Sequence, residues 1–189
     1  MISARRLPML SCMGAGRRIL ALLVVAAASA FLASGTSAAP RAHAVTLRSL
    51  ESSVLVDINA FRRSHGLARL RLNAQLNGAA REHSEQMAAD GYFAHESADG
   101  SPFWQRIQHF YPSVHRRLWS VGENLLWSSP TIDAGRALQM WLASPEHRAN
   151  LMNPRWREIG VSAVHAASAQ GVYGGQAVTI VTTDFGVRR

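Results

Sequence analysis

A carboxylate in the middle of an apolar stretch is the feature that most restricts how this chain can fold. The stretch WSVGENLLW runs from Trp119 to Trp127 and has the character of a strand, with Glu123 at its centre. Burying an ionised carboxylate costs several kcal/mol unless a partner compensates its charge. Any fold that buries this strand must therefore bring a partner to Glu123 from elsewhere in the chain.

Residues 1–39 are predicted to be a signal peptide. Two arginine pairs precede an apolar run over residues 19–32, and small residues follow, so cleavage is expected between positions 38 and 44. The apolar run is shorter than the roughly 20 residues that a spanning helix needs, and no later segment reaches that length. We expect a secreted protein, extracellular or periplasmic, with no transmembrane segment in the mature chain. An uncleaved N-terminal anchor is the alternative.

The remaining chain is expected to contain a short linker at residues 40–48 and one domain at residues 49–189. The only cysteine in the sequence, Cys12, belongs to the predicted signal peptide, so the mature chain has none. This excludes a disulfide framework and thiol chemistry in the mature chain, and an exported chain without disulfides is typical of bacteria. Of the 20 basic residues, four leave with the signal, and the remaining 16 face 12 acidic residues. This small surplus does not indicate nucleic-acid binding.

Apolar residues spaced by three and four, together with capping residues, predict five helices. The predicted helices run from Leu47 to His65, from an Asn73 cap to Asp90, from Ser101 to His109, from Thr131 to Ala143, and from a Ser144 cap to Met152. Alternating β-branched stretches at Glu158–His165 and Gln176–Phe185 predict an antiparallel hairpin. Helices first and strands last, with one more strand at WSVGENLLW, indicate the α+β class.

Three motifs occur in order along the chain: GYFAH followed by DG at residues 91–100, GEN at 122–124, and WLASPEHRAN at 141–150. This combination resembles the CAP superfamily of cysteine-rich secretory proteins, venom antigens and plant pathogenesis-related proteins, and in particular its bacterial secreted members with an SCP-like domain. The resemblance extends from about Leu50 to Gly186.

The resemblance implies a three-layer α-β-α sandwich, with a small antiparallel sheet between helical layers and a cleft lined by two histidines and two acidic residues. His95, Glu123 and His147 match three of these four positions. Ser144 stands where eukaryotic members have glutamate, and Glu146 lies two residues later. A mechanism that needs both carboxylates therefore lacks one at the matching position.

Two interpretations of this cluster answer the question that Glu123 raises. In the first, His95 and His147 bind zinc or another divalent cation, with Glu123 and water completing the site. In the second, the same three side chains form a hydrogen-bonded brace that holds the cleft together. Signatures of common hydrolases and nucleotide-binding proteins are missing from the sequence.

Other polar residues have simpler interpretations. Ser144 precedes a proline at a helix start and is predicted to be an N-cap rather than a nucleophile. His83 lies on an apolar helix stripe and is predicted to be a satisfied core histidine. Asn124 and Asn150 are expected to bond the backbone. Tryptophans are expected in the core, while three aromatic residues near the cleft mouth are candidates to line an apolar ligand path: Tyr92, Phe93 and Trp104.

The leading hypothesis is a secreted, monomeric protein whose cleft binds a ligand around His95, Glu123 and His147. The resemblance implies sterols or other lipids, divalent metals and partner proteins as ligand classes. A metal-assisted hydrolase, with Glu123 as general base, is the second hypothesis. The third is an interaction module at the cell envelope, in which the cluster is structural and an outer face contacts the partner.

Overall fold

The computed structural model describes residues 44–114 and 117–189, so the predicted signal peptide and Cys12 lie outside the described residues. Within those two ranges, no helix is both long enough and apolar enough to cross a membrane. The elements in chain order are β1 (Ala44–Thr46), α1 (Arg48–Ser64), β2 (Arg71–Leu72), α2 (Ala74–Asp90), α3 (Phe103–Phe110), β3 (Trp119–Ser128), α4 (Ala134–Ala143), α5 (Pro145–Met152), β4 (Glu158–Ala169), a short 3₁₀ turn (Gly171–Tyr173) and β5 (Gln176–Arg188).

The first two helices confirm the signals read from their ends. α1 finishes shortly before Gly66, whose φ of 69° is the left-handed conformation that glycine adopts readily. α2 is capped by Asn73, whose side chain accepts hydrogen bonds from the backbone N–H groups of the second and third helical residues. Gly91 then ends α2 with a φ of 73°. Local capping chemistry thus fixes both ends of the helix that leads into the site.

α4 and α5 begin at capping side chains. The predicted start of α4 at Thr131 is wrong: the helix begins at Ala134, because the Asp133 carboxylate accepts the backbone N–H of Arg136 at 2.8 Å and fixes the first turn there. α5 begins at Pro145 with Ser144 as its cap, as the sequence predicts.

In the described part of the chain the sheet contains five strands, with β1, β4, β5 and β3 in that spatial order and β2 pairing with β4 in parallel. The predicted hairpin is confirmed, and its strands run further than predicted, to Ala169 and Arg188. β1 lies within residues 40–48, which the sequence assigns to a linker, and pairs with β4. Strands as short as β1 and β2 carry no detectable alternation, so the sequence pattern missed both.

The architecture is the α-β-α sandwich. One face of the sheet packs against α1, α4 and α5, and the other packs against α2 and α3. Alternating residues divide β5 between the layers: Val181 and Phe185 face α1 and α4, while Val178 and Ile180 face α2. β3 forms one edge of the sheet, and β1 and β2 share the other.

The tryptophans divide between core and surface. Trp141 is buried and donates its indole N–H to the backbone oxygen of Leu125 at 3.1 Å, as expected of a core residue. Trp104 contradicts the core prediction, because 41% of it is exposed. It lies on the outward side of α3, and the buried positions of this helix are those of Arg106 and Ile107.

Candidate functional site

Glu123 lies on β3 directly opposite Asp184 of β5, so both carboxyl groups are on the side of the sheet that faces α2 and α3. Glu123 is only 4% exposed, and Asp184 is fully buried. Two neighbouring carboxyl groups in a buried position require compensating charge or protons. The contacts around them show which groups provide this compensation.

The principal partner of Glu123 is Arg106 on α3. Nη2 of Arg106 donates a hydrogen bond to Oε2 of Glu123, and this guanidinium is almost fully buried. The other carboxylate oxygen, Oε1, accepts a hydrogen bond from Nδ1 of His95 at 2.8 Å. The contact with His95 is the one expected from the sequence, whereas the contact with Arg106 is not. A guanidinium provides a permanent positive charge, while an imidazole provides only a titratable one.

Arg106 also positions the segment that carries His95. Its Nη1 donates to Ser97 Oγ at 3.0 Å and to the backbone oxygen of His95 at 3.4 Å. One guanidinium therefore fixes the Glu123 carboxylate and the loop after α2 at the same time. With its Nδ1 donating to Glu123, the side chain of His95 remains 45% exposed to solvent.

Asp184 fits this cluster as a neutral acid. A buried carboxylate would require hydrogen-bond donors. The two oxygens of Asp184 accept no hydrogen bond within residues 44–114 and 117–189. Burial, and secondarily the negative charge of Glu123, raise the pKa of Asp184 well above its usual range. A protonated Asp184 can donate its O–H to Glu123, which leaves Arg106 and Glu123 as a neutral pair.

His83 lies on the same side of the sheet and is fully buried. Its Nε2 donates to the backbone oxygen of Ala94 at 2.8 Å, and the Tyr92 hydroxyl donates to its Nδ1 at 3.4 Å. Burial lowers the pKa of His83 to about 4, so the imidazole is neutral at physiological pH. The prediction of a satisfied core histidine is confirmed.

The residues that flank Glu123 in the GEN motif face the opposite layer. A side chain at Gly122 would lie 2.8 Å from Asn150 Oδ1, so glycine permits the close approach of α5. Asn124 donates to the backbone oxygen of His147 at 3.0 Å, and Asn150 donates to the backbone oxygen of Glu123 at 3.0 Å. Both asparagines therefore bond the backbone, as predicted, and they attach α5 to β3.

His147 approaches the site from the other side of the sheet. It is carried by α5, which packs with α1 and α4, whereas His95 lies in the segment after α2 in the opposite layer. The ring centroids of His95 and His147 are 6.5 Å apart, and both side chains line one cavity with Glu123. In the described part of the chain His147 makes no hydrogen bond to Glu123. Burial, and secondarily His95, lower the pKa of His147.

Ser144 caps α5 and lies outside the contact between the two histidines. Its Oγ accepts the backbone N–H of His147 at 3.5 Å and donates to Glu146 Oε2 at 3.1 Å. Ser144 and His147 line an apolar recess of about 290 Å³ together with Phe93, Leu125, Leu126, Trp127, Met140 and Trp141. Of the three aromatic residues expected along an apolar path, only Phe93 lines this recess.

The cleft proper is an open cavity of about 440 Å³ between α3, β3 and α5. It is lined by His95, Glu96, Phe103, Val121, Gly122, Glu123, Glu146, His147 and Asn150. Glu96 and Glu146 are exposed at its rim. The backbone N–H of Glu146 itself and the Ser144 hydroxyl lower the pKa of Glu146, so it is ionised at neutral pH. Glu146 thus supplies a carboxylate to the cleft although Ser144 occupies the matching position.

The residues of the cleft do not fit the zinc site of the first interpretation. Within residues 44–114 and 117–189, no three His, Cys, Asp or Glu side chains are grouped to hold a metal ion. Both oxygens of Glu123 are already engaged, one of them by a guanidinium whose charge repels a cation. The observed cluster is hydrogen-bonded, as in the second interpretation, but it joins Glu123 to His95 and Arg106 and, among the described residues, not to His147.

Relatives among known proteins match most of the domain. YkwD from Bacillus subtilis (strain 168) is 33% identical over 119 residues, which are 62% of this chain and 44% of that protein. The membrane protein YlbC of the same organism is 31% identical over 111 residues, 59% of this chain and 30% of that protein. The chain therefore spans less than half the length of these curated relatives.

Solved structures share the fold. An extracellular protein containing an SCP domain from Bacillus anthracis is 29% identical, with a TM-score of 0.57 over 75% of this chain and 41% of that one. An outer surface protein from Borrelia burgdorferi is 22% identical, with a TM-score of 0.61 over 78% of this chain and 99% of that one. The family model of CAP, the cysteine-rich secretory protein family, matches residues 55–184. This chain belongs to the CAP family.

Proposed function

We propose that the mature chain is a secreted binding protein whose cleft recognises an organic cation that also carries an apolar group. The proposal narrows the ligand classes that the family resemblance implies. It rests on the charge balance of the cleft and on the apolar recess beside it. It assigns no catalytic step to the chain.

The charge balance is the observation that carries the proposal. The charge of Glu123 is compensated by Arg106 inside the protein, so it is not available to attract a ligand. Glu96 and Glu146 remain at the rim, and the described residues that line the cleft include no arginine. A concave site with an excess of one sign of charge attracts ligands of the opposite sign. An ammonium or guanidinium group is therefore the favoured polar part of the ligand.

The apolar part of the ligand is assigned to the recess. His147 lines both the cleft and the recess, so the two cavities adjoin at this side chain, and we assign the two parts of one ligand to them. Phe93 and Trp127 provide aromatic surface in the recess, and Phe103 provides it in the cleft, with its ring centroid 6.1 Å from that of His95. Aromatic walls with a few convergent polar groups are typical of small-molecule sites.

The hydrogen-bonded cluster of His95, Glu123 and Arg106 supports binding rather than hydrolysis. A general base must have a free lone pair within reach of the water that it activates. Glu123 is only 4% exposed and already accepts hydrogen bonds from Arg106 and His95, so it is poorly placed to reach such a water. Export is supported by the predicted signal peptide and by the extracellular SCP-domain relative, which we take as a guide to where this chain acts.

A matched set of three small probes tests the proposal by isothermal titration at neutral pH. Phenethylamine, 2-phenylethanol and 3-phenylpropionate share an aromatic ring and differ in charge. We expect phenethylamine to bind saturably and more tightly than the other two. Glu96→Gln/Glu146→Gln should weaken its affinity roughly five- to tenfold, because exposed ion pairs contribute modestly. The rings of His95 and His147 should shift in NMR spectra on binding.

The matched control is Glu85→Gln, which removes an exposed carboxylate of α2 that does not line the cleft. This variant should bind phenethylamine as the unaltered protein does. Equal or tighter binding of 3-phenylpropionate would contradict the proposal. So would an equal loss of affinity in the control, since that would indicate a nonspecific charge effect.

A further inference from the structure

Four arginine side chains surround an apolar groove at the edge of the sheet opposite the cleft. Arg48, Arg69, Arg71 and Arg81 come from α1, from β2 and the residue two positions before it, and from α2. Within residues 44–114 and 117–189, none of these side chains takes part in a salt bridge or a side-chain hydrogen bond. By contrast, Arg62 and Arg106 are buried and hydrogen-bonded.

The groove consists of two adjoining cavities of about 420 and 460 Å³. Leu55, Val56 and Leu72 line both cavities, so the apolar surface is continuous. Val56 is 63% exposed and Leu72 is 59% exposed, which are the values of surface residues. Exposed aliphatic side chains grouped in a concavity and rimmed by charge are typical of an interaction site. We call this surface the arginine groove.

The floor of the groove lies where, among the described residues, the outer edge of β4 is not paired with another strand. β1 pairs with residues 164–166 of β4 and β2 pairs with residues 158–159, so neither strand covers the outer edge between them. Side chains close this gap. Asn77 Oδ1 accepts the backbone N–H of Val161 at 3.0 Å, and Glu51 Oε1 accepts that of Ala163 at 3.2 Å. The groove is therefore formed before any partner arrives.

We propose that the arginine groove binds an acidic segment of a partner protein that presents aliphatic side chains. Among the described residues that line the groove, four arginines face one carboxylate, that of Glu51, which already accepts a backbone hydrogen bond. Guanidinium groups pair with carboxylates in a bidentate way, and such pairs are favoured at protein interfaces. Nε of Arg81 is buried without an acceptor in the described part of the chain, so a carboxylate at this guanidinium would offset desolvation that has already occurred.

The shape of the groove favours a polypeptide over a membrane surface. Leu70 and Val161 at its floor are buried while Val56 and Leu72 are exposed, so the apolar surface is concave and accepts inserted side chains. Membrane-binding surfaces instead project apolar side chains outward into the lipid. The groove lies at the opposite edge of the sheet from the cleft, so this inference is independent of the proposed function.

Fluorescence anisotropy with two labelled peptides tests the inference. One peptide alternates glutamate and leucine over eight residues, and the other alternates glutamine and leucine over the same length. We expect the purified protein to bind the glutamate peptide saturably and the glutamine peptide at least tenfold more weakly. Arg48→Gln/Arg81→Gln and Val56→Asp should each weaken binding of the glutamate peptide, the first by roughly tenfold.

Two control variants change similar residues outside the groove. Arg148→Gln removes an exposed arginine of α5, and Val172→Asp alters a valine that is 59% exposed. Both should bind the glutamate peptide normally. Absence of saturable binding, or equal binding of both peptides, would overturn the inference. Groove-dependent binding to phosphatidylglycerol vesicles without peptide binding would replace the protein partner with a membrane and would also overturn it.

Discussion

Replacing Arg106 with methionine is expected to destabilise the domain by about 3 to 5 kcal/mol, which is a large part of the stability of an ordinary domain. The guanidinium is the permanent positive charge that compensates Glu123 in the buried cluster. Methionine fills a similar volume without a charge, so Glu123 would remain buried beside the acidic Asp184. The loss should appear as a lower midpoint in urea denaturation followed by circular dichroism.

A second substitution separates the charge effect from packing. Arg106→Met/Glu123→Gln removes both charges, and this variant should recover most of the lost stability, since a buried ion pair can often be replaced by neutral groups at little cost. Glu123→Gln alone should be destabilising, because Arg106 would then depend on ionisation of Asp184, which burial opposes. Arg148→Met, on the exposed side of α5, should change stability by less than about 0.5 kcal/mol. A loss below about 1 kcal/mol for Arg106→Met would refute the pairing.

Replacing Gly160 with alanine is expected to cost more than about 3 kcal/mol, at the upper end of overpacking effects. A Cβ at this position would lie 2.2 Å from the carbonyl carbon of Leu76 and 2.3 Å from the backbone nitrogen of Asn77. These are backbone atoms of α2, and no side-chain rotation can move them away. α2 would have to separate from β4, which would disturb the packing of the two elements around Leu76.

Gly135→Ala is the matched control for this substitution. Gly135 is exposed in α4, and a Cβ there would meet only Asp133 Oδ1, at 3.4 Å, among the described residues. Because alanine is the better helix former, the control should be neutral or slightly more stable. Thermal denaturation of the two variants in parallel measures the difference. Similar melting temperatures for Gly160→Ala and the unaltered protein would show that α2 does not contact β4 as described.

Much of the fold is predictable because helix ends and long strands carry local chemical signals. Asn73, Gly91 and Ser144 act at the positions that capping rules assign to them. The start of α4 was missed because Thr131 and Asp133 both qualify as caps, and only the structure shows that Asp133 accepts the hydrogen bond. The two shortest strands owe their conformation to pairing with β4 rather than to their own sequence.

The site was less predictable because its critical contacts join distant parts of the chain. Arg106 carried a usable signal, since it follows Phe103 by three residues on the apolar stripe of α3 and is buried with Ile107. Asp184 carried the same signal as Glu123, a carboxyl group among buried strand positions. The layer that carries His147 follows from the packing of α5, which no local pattern reveals.

Glu123 is a structural carboxylate, held by Arg106 and by a proton on Asp184. The raised pKa of Asp184 has a definite consequence for stability. The stabilisation that comes from protonated Asp184 is complete below the ordinary pKa of aspartate. It is lost as the pH rises through the raised pKa of the folded state. Asp184→Asn removes this loss, so its advantage in stability over the unaltered protein should grow with pH across that window.

Carbon-13 NMR of the side-chain carboxyl groups, recorded against pH, tests the claim most directly. The Asp184 resonance is assigned as the one that Asp184→Asn removes. We predict that it keeps the shift of a protonated acid through the range, near about pH 4, in which exposed aspartates ionise. Ionisation of Asp184 together with the exposed aspartates would contradict the account, because two buried carboxylates would then share the single guanidinium of Arg106.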